Sequence, residues 1–328
     1  MRRVSYRSVG AHITPWLLPT VVLIIAIGMA WIEPRFYNRL NLMNIARNFA
    51  VAGVLGMAQA LVMIVGGFDL SVGAIMALAS VLGASTMVAV AALVPDYAWL
   101  SIAAGSLVAL LGGGLVGSVS GTLIATMRLS PFIVTLAVAS SLLGAVFFVT
   151  KGVPVYGIPD LFTSTIGRGQ IFGLPTLFCI VLVVAALLTM VTNLMAVGRH
   201  VYAVGGALKA AYASGIAAGR LYVLIYALAG SLASLAGLMV TARIGSGQSN
   251  IGTSAAIESI SAAVVAGVSL RGGKGSIPRV LLAALLLTVI GNSLNLLQIS
   301  SKFQTMVLGI FLLGTIATER LLGGSDDD

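Results

Sequence analysis

Between Asp96 and Arg128 the chain reads YAWLSIAAGSLVALLGGGLVGSVSGTLIATM (97–127), a run without one charged residue. A helix rises about 1.5 Å per residue and a bilayer's hydrocarbon core is about 30 Å thick, so about 20 apolar residues cross it. This run exceeds one crossing and is expected to tilt, or to break near Gly112–Gly114. Within it Gly113, Gly117 and Gly121 recur every fourth residue and share one helix face. Lipid is as apolar as leucine, so helices in it associate by close packing, and small residues at this spacing let two backbones approach. These glycines are read as packing residues and given no other role.

The same reading extends to both sides. Charge-poor apolar runs predict ten membrane helices, roughly 15–32, 49–66, 70–93, 98–127, 132–150, 173–195, 220–241, 253–270, 278–297 and 303–320. A transmembrane barrel would alternate apolar and polar residues, and runs such as Ile180–Met190 do not. The first helix lacks a small-residue cleavage site, since Trp31, Ile32 and Glu33 follow its apolar core. With the N-terminus inside, eleven Lys and Arg fall on the cytoplasmic side and seven outside, which places both termini in the cytoplasm. The outer group includes Arg35, Arg39 and Arg47, and a short interfacial helix over Asn38–Arg47 is expected to carry them. Trp16, Tyr97 and Trp99 fit an interfacial aromatic belt.

Composition agrees. Hydrophobic residues make up 59% and charged residues 8%, against about 25% charged in a soluble domain. Disordered chains are poor in apolar residues, so disorder is excluded as well. The net charge of +9 does not indicate nucleic acid, because the basic residues are scattered singly between apolar runs. The single cysteine, Cys179, excludes an internal disulfide and is read as a small core residue. The fold class is therefore all-α and polytopic. One transmembrane domain spans 1–323, followed by an acidic tail, 324–328, that is expected to be disordered. Segments 49–150 and 220–320 each hold four helices around a glycine-bearing polar break, the pattern of two inverted repeats.

Polar residues inside apolar sequence mark candidate sites. In Gly66-Gly67-Phe68-Asp69-Leu70-Ser71-Val72-Gly73 two glycines end a helix, and Asp69 precedes the next. Asp69 either caps that helix or, with Ser71, lines a pathway at a broken helix. Glu258 is an acid inside an apolar segment, either paired with a nearby serine or backbone amide or facing a pathway. Asn292 and Asn295 share a helix face and either bridge helices or line the pathway. His12 and His200 are read as interfacial. No phosphate loop is present: Gly273-Lys274 is followed by Gly275, and position 268 is Val. No nucleophile–base set supports an enzyme. The connection Asn193–Arg220 holds Ala207–Gly215, which can form a short cytoplasmic helix suited to docking a partner.

Four blocks, Gly66–Gly73 (GGFDLSVG), Gly198–Ile216 (GRHVYAVGGALKAAYASGI), Ala263–Ser276 (AVVAGVSLRGGKGS) and Gly291–Ser300 (GNSLNLLQIS), run in order along nearly the whole chain. Through them, and through Ser246-Gly247-Gln248, the sequence resembles the permease subunits of bacterial ATP-binding-cassette importers for ribose, xylose, arabinose and related sugars. It departs from the family at Tyr212, where Arg is frequent, and at Gly267-Val268, where Gly-Gly is frequent. The resemblance implies a multi-pass protein of the bacterial inner membrane that works as a homodimer or with a related permease. A cytoplasmic ATPase dimer would drive it, and a periplasmic binding protein would supply a monosaccharide or related small polar solute. ATP and Mg would then reside on the ATPase, with no cofactor in this chain; membrane lipid surrounds it and nucleic acid is no partner. Ala207, Lys209, Ala210, Ala211, Tyr212, Ser214 and Gly215 are expected to form the ATPase-coupling helix. The rival reading is an ion-coupled secondary transporter with Asp69 or Glu258 as its coupling carboxylate.

Overall fold

A computed structural model describes residues 6–300 together with Phe303, Met306, Gly309 and Ile310. The chain forms helices α1 (Tyr6–Ile32), α2 (Arg39–Ile64), α3 (Val72–Leu93), α4 (Ala98–Met127) and α5 (Pro131–Thr150). A single turn, α6 (Asp160–Phe162), runs on into a π-turn over Thr163–Gly167. A two-residue hairpin of β1 (Gln170–Ile171) and β2 (Leu174–Pro175) precedes α7 (Thr176–Leu194). Then come α8 (Ala196–Gly206), α9 (Leu208–Ala213), α10 (Ala218–Ile244), α11 (Ala255–Val265) and α12 (Ile277–Leu296). Seven of these helices, α2 to α5, α7, α10 and α12, are long and apolar enough to cross a membrane. The expected helix over 303–320 lies outside the described residues apart from four positions, as do Arg2, Arg3, Lys302, Arg320 and the tail 324–328.

The core is built around α2. Every residue from Gly53 to Ile64 is buried, which an all-round apolar helix requires. The helices α7, α10, α11 and α12 pack about it, and α3 and α4 pack on the other side of α10. The glycine stripe performs its expected task there. A Cβ on Gly117 would sit 2.0 Å from the Tyr226 carbonyl oxygen, and one on Gly113 would sit 1.9 Å from Ser234 Oγ. On the facing helix, a Cβ on Gly230 would lie 2.1 Å from the Gly113 carbonyl oxygen. The backbones of α4 and α10 are thus in direct contact. One polar rivet stands nearby: the hydroxyls of Ser80 on α3 and Thr241 on α10 are 2.6 Å apart.

Several expectations need correction. The helix α4 is continuous from Ala98 to Met127, with no break near Gly112–Gly114; α10 supports it along the glycine face, so the glycines cost the helix little. No separate interfacial helix covers Asn38–Arg47. Asn38 accepts the Leu40 amide (3.0 Å) and starts α2, which then runs unbroken from Arg39. Before it lies a 3-10 turn, Pro34–Tyr37, where Arg35 pairs with Glu33 at 2.7 Å and holds that carboxyl down to about 2. The expected helix 253–270 is only the eleven residues of α11. Gly252 (φ +80°) precedes it, and Gly267 (φ +79°) ends it. Connection 193–220, expected to hold one short helix, also contains α8.

The ten residues between α10 and α11 run beside α3 as bends and turns, with one bridge at Gly247. Gly247 exchanges both backbone hydrogen bonds with Val155 (2.8 Å each), and the Gln248 amide donates to Ser80 Oγ (2.9 Å). Further on, Gly252 meets Gly73 backbone to backbone: a Cβ on Gly73 would lie 2.1 Å from the Gly252 carbonyl oxygen. The segment that follows α10 therefore meets the first turn of α3, just beyond the break that follows α2.

Candidate functional site

The break after α2 is held from within. Gly66 (φ +92°) turns the chain out of α2. Asp69 is fully buried, and its Oδ1 accepts both the Ser71 amide (2.7 Å) and the Ser71 hydroxyl (2.5 Å). Its Oδ2 is buried without a partner among the described residues. The Phe68 carbonyl accepts the Tyr226 hydroxyl from α10 (3.0 Å), and the Leu70 amide donates to Thr135 Oγ1 on α5 (3.1 Å). Asp69 therefore does not cap the first-turn amides of α3 as expected. Ser71 occupies the N-cap position, and Asp69 satisfies Ser71 instead. The geometry ties α2, α3, α5 and α10 at one point.

A second polar locus opens between α2, α10, α11 and α12 as a cavity of about 370 Å³. It brings together three of the expected residues, Glu258, Asn292 and Asn295, with Asn48, Arg243 and Thr288. Asp69 and Ser71 are not among its lining residues. Glu258 is exposed, and its Oε1 accepts the Ser254 hydroxyl one turn earlier (2.6 Å). Arg243 donates to Asn48 Oδ1 across from α10 to α2. Asn292 bridges helices, exchanging hydrogen bonds with the Asn41 amide on α2 (2.8 and 3.0 Å). Asn295 is exposed at the cavity. Hydrocarbon offers such groups no hydrogen bonds, so polar side chains exposed along membrane helices face a wet cavity or another protein surface.

Sequence reading missed Asn48 and Arg243. Asn41 and Asn48 lie seven apart on α2, hence on one face, and both meet polar residues of neighbouring helices; that spacing was the available signal. Arg243 is one of the seven outer Lys and Arg, and in the sequence it offers only a charge beside a membrane helix.

The third locus is α9. The expected helix Ala207–Gly215 is realised as Leu208–Ala213, between Ala207 as N-cap and Ser214 as C-cap. Lys209, Ala210, Tyr212, Ser214 and Gly215 are exposed, whereas Ala211 is 3% exposed and faces the protein. Gly215 (φ +78°) reverses the chain, and the Ile216 amide returns to the Ala211 carbonyl (3.0 Å). His200, Ser214, Ile216 and Arg220 line an open cavity of about 500 Å³ beside it. The preceding α8 anchors this unit. Gly205 and Gly206 lie against Gly272 and Gly273, the Gly273 amide donates to the Ile64 carbonyl at the end of α2 (2.8 Å), and the Tyr202 hydroxyl donates to the Gly275 carbonyl (3.0 Å).

Residues 41–316 match the family model described as branched-chain amino acid transport system, permease component. The chain is 35% identical over 307 residues to the ribose import permease protein of Haemophilus influenzae, covering 92% of each chain. It is 31% identical to the D-allose transport system permease protein of Escherichia coli strain K12, over 92% of this chain and 90% of the other. With the fructose import permease protein of Rhizobium meliloti it shares 34% identity, over 94% and 86% of the respective chains. No solved structure matches.

Proposed function

Since the chain belongs to the family of branched-chain amino acid transport system permease components, we propose that it is the membrane subunit of an ATP-binding-cassette importer for a monosaccharide or related small polar solute. The observation that carries this reading is the likeness to ribose, allose and fructose import permeases over nearly the full length of each. Two copies, or this chain and a related permease, enclose the pathway. A cytoplasmic ATPase dimer, holding ATP and Mg, docks at α9, and a periplasmic binding protein supplies the solute. The exposed face of α9, rigidly backed through α8, supports the docking role. Glu258, Asn292 and Asn295 belong to the pathway, whereas Asp69 and Ser71 hold the break that shapes it. The single permease domain covers 1–323, with 324–328 as an acidic tail.

In this reading the chain crosses the membrane ten times: the seven long helices, α1, the segment from Gly245 through α11, and a last helix over 303–320. The Lys and Arg balance supports cytoplasmic termini. Two inverted repeats are supported by the parallel order of helix, glycine break and helix in α2–α3 and α10–α11. Reporter fusions after Gly10 and after Gly323 should both report cytoplasm. An external signal from either overturns the topology.

The test of function is uptake into vesicles holding this chain, its ATPase and its binding protein. Uptake of ribose, allose or fructose should require ATP and should survive ionophores that collapse proton and sodium gradients. Uptake without ATP that ionophores abolish would establish the ion-coupled transporter instead. Ala210→Trp enlarges the exposed face of α9 without touching its buried side. It should cut stimulation of ATP hydrolysis by the loaded binding protein at least ten-fold while leaving membrane insertion intact. Full stimulation in this variant would place the coupling contact elsewhere, with the Arg271–Ser276 loop next in line.

A further inference from the structure

The cavity between α2, α10, α11 and α12 contains more hydrogen-bonding capacity than the protein itself uses. Among the described residues, Arg243 gives one N–H to Asn48 Oδ1. The rest of its fork, the Asn48 side-chain NH2, the Asn295 side chain and Glu258 Oε2 have no protein partner among the described residues. The Thr288 hydroxyl donates to the Ala284 carbonyl (2.7 Å) and retains lone pairs to accept with. All of these residues line one cavity of about 370 Å³, within the roughly 300–1,000 Å³ range of small-molecule sites. Arg243 and Glu258 lie on different helices and form no ion pair with each other, so the charges flank the space rather than closing it.

We infer that this cavity is a binding site for an uncharged polyhydroxy solute within the permease itself, with Arg243 and Asn48 as the donor wall and Glu258 as the acceptor wall. The inference rests on the importer reading and deepens it: solute selection would then occur in this chain as well as in the binding protein. A hydroxyl donates one hydrogen bond and accepts two, so a solute bearing several hydroxyls can satisfy both walls and the amide and hydroxyl groups between them. An anion would pair with Arg243 but face Glu258, and a cation would pair with Glu258 but face Arg243. A zwitterionic amino acid could meet both charges but would leave the Asn48 and Asn295 amides and the Thr288 hydroxyl to water, whereas a polyhydroxy solute can pair with all three. Apolar lining from Leu55, Val240 and Leu287 suits the C–H face of a sugar ring.

The test measures equilibrium binding of radiolabelled ribose, allose and fructose to the purified permease–ATPase complex in nanodiscs, without binding protein and without ATP. Saturable binding of at least one sugar is expected, displaced by neutral polyols but not by ribonate, glucosamine or leucine. Glu258→Gln and Arg243→Gln should each weaken it at least ten-fold, and Arg243→Lys should restore part of the loss. Glu258 is exposed, so Glu258→Gln remains informative if the Arg243 variant fails to fold, with the melting profile as the check. Failure of all three sugars to bind, unchanged binding in Glu258→Gln, or displacement by leucine in place of sugars would overturn the inference. Stimulation of ATP hydrolysis by the loaded binding protein, measured on the wild-type complex in the same nanodiscs, reports on the importer reading separately.

Discussion

Gly117→Leu is expected to prevent recovery of folded protein, and Gly117→Ala to lower the melting temperature of the detergent-purified chain by many degrees. A Cβ at Gly117 would lie 2.0 Å from the Tyr226 carbonyl oxygen and 2.6 Å from its carbon. These are backbone atoms in the middle of a helix, and neither can turn aside as a side chain would. Overpacking a core ordinarily costs about 1–3 kcal/mol, where side chains absorb part of the strain. Here relief requires moving α4 away from α10, which also pulls Gly113 off Gly230 and Ser234 and Gly121 off Tyr222. Gly144 on α5 has nothing within 4 Å of its would-be Cβ. Gly144→Ala should therefore be neutral or stabilising by up to about 1 kcal/mol through helix propensity. Equal melting temperatures for Gly117→Leu and wild type would refute direct backbone contact between α4 and α10.

Asp69→Leu is expected to abolish transport through loss of a folded break, with Asp69→Asn retaining a substantial part. Leucine leaves the Ser71 amide and hydroxyl without their shared acceptor in a fully buried place. Each unmet buried group costs about 1–3 kcal/mol. The loss falls on a segment whose neighbours are held by Tyr226 from α10 and Thr135 from α5, so the junction of four helices loosens together. Asparagine keeps an oxygen at Oδ1 and the side-chain shape. Yield of monodisperse protein and ATP-dependent uptake are the readouts. Normal values of both for Asp69→Leu would show that the break holds without this carboxyl.

Most of the helical frame was legible because membrane helices announce themselves by length and lack of charge. The runs that became α3, α4, α5 and α12 are bounded by charged residues or proline, and their observed ends lie within a few residues of the expected ones. The glycine stripe was legible because its spacing is itself the packing surface. The region around α8 was not: Gly198, Gly205 and Gly206 read as loop, whereas Gly205 has room only for a hydrogen because the Ile64 carbonyl oxygen would lie 1.8 Å from its Cβ. Nor was the shortness of α11, since an apolar run of that size conceals where positive-φ glycines begin and end the helix. At the candidate site, Glu258, Asn292 and Asn295 stood out as polar residues in apolar surroundings. Asn48 and Arg243 did not, because polar residues near a helix end are ordinary, and only the tertiary arrangement turns them toward Glu258's cavity.

The glycines of α8 have a mechanical consequence. Gly205 and Gly206 meet Gly66, Gly272 and Gly273 without side chains between them, and Gly273 is hydrogen-bonded to the last residue of α2. A side chain can swing to absorb a displacement, whereas backbone against backbone cannot. The junction behaves like meshed gear teeth, with almost no play. α9 is joined to α8 through Ala207 alone, and the Gly272–Gly273 turn leads back to α11. A load applied to the exposed face of α9 therefore arrives at the end of α2 and at the Gly272–Gly273 turn as one stroke.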